Sequence, residues 1–104
     1  MVALIFYDIE DNKQRTKVSK FLEKEGFERI QYSVFAGPTD TQELKELLVE
    51  LYNKVTGKED KIFALPISIA KFTDMLCCGP KPDLEYIAGT LPVLLIDWFL
   101  VKKS

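Results

Sequence analysis

The chain has 104 residues, 47% of them hydrophobic, and a formal net charge of −2, which allows one compact domain and excludes a separate catalytic domain. It contains no histidine, so Ser-His-Asp and Cys-His nucleophilic schemes and the commonest zinc ligands are excluded, and carboxylate chemistry is left. The slight negative charge offers no global field to a polyanion, so any nucleic-acid binding must come from local patches.

The first element is a strand. Val2-Ala3-Leu4-Ile5-Phe6-Tyr7 is apolar on both alternating faces, meets Asp8, and passes through Ile9 into a turn-like Glu10-Asp11-Asn12. Both faces need cover. A chain of this length supplies helices for one face of a sheet, so the other face is expected to meet a second subunit, with Asp8 near that contact. On a two-fold axis one Asp becomes two, and two converging carboxylates form a seat for a hard divalent cation, Mg²⁺. The plainer alternative is a strand-terminal acid that ends the apolar run and supports the turn. Asp8 interrupts the apolar stretch and no basic region precedes it, so no secretory leader is expected and the cytoplasm is the expected compartment.

Asp11 or Asn12 can cap a helix whose Val18, Phe21 and Leu22 fall at helical spacing, with Gly26 as its stop. The same helix carries Lys13, Lys17, Lys20 and Lys24 along one line, well round from the apolar stripe. Such a row suits either the tracking of a phosphate backbone or a solvated face. Arg15, in the first turn, could reach a phosphate or pair with an acid of the preceding loop.

From Phe27 to Phe35 the side chains alternate, Ile30, Tyr32 and Val34 on one side and Arg29, Gln31, Ser33 and Phe35 on the other. The donors at every second position suit a polar interface around an anion near Asp8, or a polar sheet face at a dimer contact. Gly37-Pro38 is expected to break the strand. The segment from Arg29 to Gly37 has room for two consecutive strands, although no hairpin turn is recognisable in it. Asp40 with Glu43 opens a second helix through Leu44, Leu47, Leu48, Leu51, Tyr52 and Val55, ended by Gly57. Lys61 to Leu65 then reads as a short strand closed by Pro66.

Ile67 to Cys78 suits a short helix and Gly79-Pro80-Lys81-Pro82-Asp83 a turn or linker. Cys77 and Cys78 are adjacent, a spacing unsuited to ordinary disulfide geometry, and read as buried or partly buried thiols of an intracellular protein. Leu91 to Val101 is almost wholly apolar yet shorter than the about 20 residues that a membrane span needs. It is expected to be a strand exchanged into a partner's sheet, with pairing inside its own chain as the alternative. Asp97, within that run, is a second and weaker acid candidate. The order of elements predicts an α+β ferredoxin-like sandwich, two helices on one face of an antiparallel sheet, forming a homodimer. Residues 1–78 are assigned to that domain and 79–104 to a linker and C-terminal interface strand.

In order and spacing, Tyr7-Asp8-Ile9, Arg15, Lys17-Val18, Gly26, the run Arg29-Ile30-Gln31-Tyr32-Ser33-Val34-Phe35-Ala36-Gly37, Glu43-Leu44, Glu59-Asp60 and Leu65-Pro66 resemble the CRISPR-associated protein two family over about the first two thirds of the chain. The resemblance implies a ferredoxin-like homodimer whose C-terminal strand often joins the partner's sheet. It also implies a metal-dependent endonuclease, usually magnesium-requiring, acting on RNA or duplex DNA, and a place in spacer acquisition for antiviral defence beside a CRISPR integrase subunit. By motif position Asp8 would bind the metal, and Arg15, Arg29 and Ser33 would serve the catalytic site, with Tyr7 and Phe35 in support. Lys13, Lys17, Lys20 and Lys24 remain the candidates for holding nucleic acid. A glutamate often stands between the Phe and Gly matched by Phe35 and Gly37, and this chain has Ala36 there. Two other functions stay open: a non-catalytic DNA-binding dimer that scaffolds the integrase, and a toxin-type ribonuclease of the virulence-associated D family, which is similar in fold and in its strand-one Asp.

Overall fold

The computed structural model describes residues 1–89. The expected exchanged strand from Leu91 to Val101, with Asp97, lies outside the described residues. The elements run β1 (Val2–Asp8), α1 (Asn12–Lys24), β2 (Glu28–Gln31), β3 (Val34–Pro38), α2 (Thr41–Tyr52), β4 (Lys61–Ile67), α3 (Ile69–Thr73) and α4 (Leu84–Ala88). The strands form one antiparallel sheet in the order β2-β3-β1-β4. The most apolar strand is therefore central: Ile5 of β1 lies opposite Phe35 and Ala64, and Phe6 opposite Val34 and Phe63.

Both long helices are capped as their sequences predict. The Asp11 carboxylate accepts from the Gln14 N–H at 2.9 Å, and Asp40 from the Glu43 N–H at 2.8 Å. They pack on one face of the sheet, where Ala3, Ile5, Tyr7 and Phe35 meet Val18 and Leu22 of α1 and Leu44, Leu47 and Leu51 of α2. This is the ferredoxin-like α+β sandwich that the pattern predicted. The second helix stops at Tyr52, short of the expected Gly57. Side chains capture the backbone beyond it: the Thr56 N–H donates to Gln14 Oε1 at 3.1 Å and the Gly57 N–H to Asp60 at 3.0 Å. The same Asp60 carboxylate accepts from the Glu10 N–H at 3.1 Å, tying this loop to the one after β1.

The segment after Phe27 is two strands, turning at Tyr32-Ser33. Among the described residues only glycines take positive φ, so this turn lacks the usual signature of a tight hairpin. A bulge between Arg29 and Gln31 adds local twist and shifts the register. Gln31 thereby falls opposite Val34 while Arg29 stays opposite Phe35, which overturns the expected alternation. Gly37 and Pro38 continue β3 instead of breaking it, opposite Ala3 and Val2. A Cβ at Gly37 would lie 2.8 Å from the ring of Phe27 and 3.1 Å from its Cα, so only glycine lets Phe27 close over the sheet.

The other face is covered in part by the chain itself. Phe72 of α3 and Leu84, Ile87 and Ala88 of α4 pack on Val2 and Ala36, with Leu4, Ile30, Ile67 and Met75 at their margin. The expectation that this whole face awaits a second subunit is corrected: among the described residues only a strip is left uncovered, where Phe6 is 37% exposed, Leu65 48% and Phe63 54%. Within the expected 79–104 segment, α4 is capped by Asp83, which accepts from the Tyr86 N–H at 3.1 Å. Cys77 and Cys78 are both exposed, contrary to the expected burial, because they follow α3 in a loop outside both core clusters. Among the described residues no helix is long and apolar enough to cross a membrane.

Candidate functional site

Period-two alternation puts neighbouring residues of a strand on opposite faces, and the end of β1 shows the consequence. Tyr7 points into the helix-side core and is 8% exposed, whereas Asp8 is exposed on the other side, beyond Phe6. Two adjoining clefts result, Asp8 lining one, Arg15 and Arg29 the other, and Tyr7 and Ser33 both.

Asp8 lies opposite Lys61 in the register and borders a cleft of about 320 Å³ with Phe6, Tyr7, Phe63, Val34 and Ser33. The rings of Phe6 and Phe63 meet edge to face at 5.7 Å, so an apolar strip leads directly to the acid. Among the described residues no group of three or more His, Cys, Asp or Glu side chains is placed to hold a metal ion. One carboxylate facing a lysine does not fit Mg²⁺ within a single chain, since hard cations take several oxygen ligands.

The second cleft, of about 240 Å³, lies between α1 and the β2–β3 hairpin, and Tyr7, Arg15, Arg29 and Ser33 all line it. Its remaining walls are the polar side chains of Asn12, Thr16, Ser19 and Tyr32, with no carboxylate among them. Phe35 sets this geometry from beneath. Its buried ring stacks with Tyr7 at 6.3 Å between centroids, and the Arg29 guanidinium lies 5.1 Å above it. Arg15 is fixed by donating from Nη1 to the Ile9 carbonyl at 3.2 Å. Two guanidiniums with hydroxyl and amide donors suit a phosphate-like anion, with Glu23 acting on Tyr7 only as the weakest of its charged neighbours.

Burial pushes the Tyr7 phenol above its ordinary value, while Arg29 and, more weakly, Arg15 pull it down. The neutral phenol is thus favoured in the folded chain. Its contribution to stability is complete below the ordinary tyrosine pKa and is lost as pH rises through the folded one. In Arg29→Ala the Tyr7 phenolate should form at higher pH still, which an ultraviolet titration checks; an unchanged titration would place Arg29 away from the hydroxyl.

The four lysines of α1 are all exposed, and none lines the anion cleft. At about 100° per residue their row lies roughly 120° round α1 from the face of Asn12, Arg15, Thr16 and Ser19. Sequence reasoning missed Thr16, Ser19 and Tyr32. The first two share a helix face with Arg15, a signal that the polar residues of α1 carried; Tyr32, 71% exposed, became legible only with the turn. Lys61 was missed because its position opposite Asp8 depends on the strand register.

A family model described as "CRISPR associated protein Cas2" matches residues 1–75. The "CRISPR-associated endoribonuclease Cas2 2" of Synechocystis is 40% identical over 82 residues, covering 78% of this chain and 86% of that protein. The "CRISPR-associated endoribonuclease Cas2 1" of Archaeoglobus fulgidus is 36% identical over 67 residues, covering 64% of this chain and 71% of the relative. Among solved structures, a hypothetical protein from Thermus thermophilus superposes with a TM-score of 0.64 at 28% identity, covering 79% of this chain and 96% of that one. Streptococcus pyogenes Cas2 superposes with a TM-score of 0.66 at 21% identity, over 76% of this chain and 100% of that one, a likeness of fold.

Proposed function

The chain belongs to the Cas2 family, and from that membership we propose that it is a metal-dependent endonuclease of RNA or duplex DNA, taking part in spacer acquisition for antiviral defence. The observation that carries this reading is the placement of Asp8 at the end of the uncovered strip of Phe6, Phe63 and Leu65. An apolar strip of this kind suits a two-fold contact between copies of the chain, and such a contact brings the Asp8 of each copy together. Mg²⁺ would then be held by the paired Asp8 carboxylates, and when bound it would activate water and offset charge on the scissile phosphate.

This chain's own residues have separate tasks. Lys61, opposite Asp8, faces the same phosphate and offsets its charge. Arg15, Arg29, Tyr7 and Ser33 hold a neighbouring phosphate on the helix side of the strand end; Tyr7 and Ser33 also border the Asp8 cleft, and the two arginines do not. The named activity of the relatives favours RNA. The test is cleavage by the highly purified full chain, with RNA and duplex DNA offered separately, in magnesium or in chelator. Magnesium-dependent cutting of RNA supports the reading, and an equal rate in chelator would overturn it.

A second reading, a DNA-holding dimer that bridges CRISPR integrase subunits in the cytoplasm, draws on the exposed row of Lys13, Lys17, Lys20 and Lys24. Reversing these charges should weaken duplex binding and flatten the slope of its log–log dependence on salt by roughly 0.9 for each phosphate that is no longer neutralised. Double substitution of Arg15 and Arg29 by alanine should instead weaken binding of both nucleic acids. A charge-assisted hydrogen bond contributes about 1.5–3 kcal/mol, so the loss for two is about a hundredfold or more. Filter binding in a salt series checks both. The toxin-type ribonuclease is left without a supporting observation.

A further inference from the structure

Met75, Cys77 and Cys78, sulfur-bearing side chains with no part in the proposed activity, line one cleft of about 470 Å³ between the β2–β3 hairpin and the loop after α3. Side chains of adjacent residues in an extended chain diverge. Here the chain bends over Cys78, Gly79 and Pro80, and Gly79 takes a φ of +96°. A Cβ at that glycine would meet nothing within 4 Å, so the position calls for the backbone angle and not for space. With this bend both cysteines line the same cleft, and Pro80 and Pro82 stiffen the chain that follows.

Met75 is anchored through its backbone and its packing. The Met75 N–H donates to the Phe72 carbonyl at 3.1 Å, and the side chain packs against the core cluster beneath α3 and α4. Both thiols remain open to solvent. Across the cleft stand Ile30, Val34 and Gln31 from the hairpin, and among the described residues no charged side chain lines it. Hard cations seek carboxylate oxygen, which this wall does not offer. Zinc is almost always four-coordinate in protein sites, whereas thiolate and thioether together select soft ions such as Cu(I).

We infer that Met75, Cys77 and Cys78 form a three-sulfur site for a soft monovalent d¹⁰ cation, with Cu(I) as its type. Each thiol gives up its proton on ligation, so binding releases about two protons per ion; no change of oxidation state is involved. The site is complete within one chain and independent of Asp8.

The experiment is an anaerobic titration of the reduced full chain with Cu(I), in competition with a chromophoric Cu(I) chelator, with proton release and X-ray absorption as further readouts. The expected result is one ion per chain, about two protons released and a shell of three sulfurs. Joint substitution of Cys77 and Cys78 by serine should abolish binding, and both positions are exposed, so circular dichroism should show the fold retained. Met75→Leu keeps the apolar packing and should weaken binding about tenfold, leaving a two-sulfur shell. Retention of the ion by the serine variant would overturn the site. Unchanged binding by Met75→Leu would overturn the third ligand, and half an ion per chain with ion-dependent pairing would overturn a site completed within one chain.

Discussion

Asp8→Ala should lose magnesium-dependent cleavage while keeping the fold. The side chain is exposed and packs in neither core cluster, so its removal leaves no cavity and should shift the melting temperature little. Removing even a partner of a metal ligand costs roughly 10–100-fold in affinity or activity, and a pair that shares one ion loses the seat altogether. The expected fall in rate is therefore at least about a hundredfold, with nucleic-acid binding through Arg15 and Arg29 retained. Comparison of cleavage, binding and thermal melting in one set of preparations separates these effects. Unchanged cleavage would remove Asp8 from the chemistry.

The second large effect is on stability. Phe35 is fully buried on the central strand pair, opposite Ile5, and supports both Tyr7 and Arg29. Phe35→Ala should cost about 3–5 kcal/mol, which for a domain of this size lowers the melting temperature by roughly 15 °C or more. Phe35→Leu keeps much of the apolar volume but takes away the ring beneath Arg29. It should melt at a higher temperature than the alanine variant, yet bind nucleic acid as weakly as Arg29→Ala. If it binds like the parent chain, the ring has a packing role alone.

The central strand, both capped helices and the sheet class were legible because each rests on local signals: a two-sided apolar run, Asp-x-x-Glu at Asp40, and helical spacing in α1 and α2. The hairpin was hidden because Tyr32-Ser33 turns without glycine or positive φ, and because the bulge before it cancels the simple alternation. Helix α4 was missed because its apolar residues, Leu84, Ile87 and Ala88, follow two prolines and span little more than one turn. That omission concealed how far the chain covers its own second face.

For the candidate site, the folded chain groups the named residues differently from their motif order. Motif order groups Tyr7, Asp8, Arg15 and Arg29 around one point, whereas strand alternation sends Tyr7 and Asp8 to opposite faces. The distinction changes the proposed chemistry, in which the arginines would anchor a phosphate other than the one that faces Asp8. It also brings in Lys61, which only the pairing of β1 with β4 could place.

The most direct test of a carboxylate site shared by two copies is the activity of mixed dimers, made by co-expressing the parent chain with Asp8→Ala and separating them by differential tags. If the two Asp8 carboxylates act together, a mixed dimer is inactive, and random pairing of equal amounts retains about one quarter of the parent rate. Retention of about one half, with mixed dimers active in proportion to their parent chains, would contradict the shared site and assign the chemistry to each chain alone.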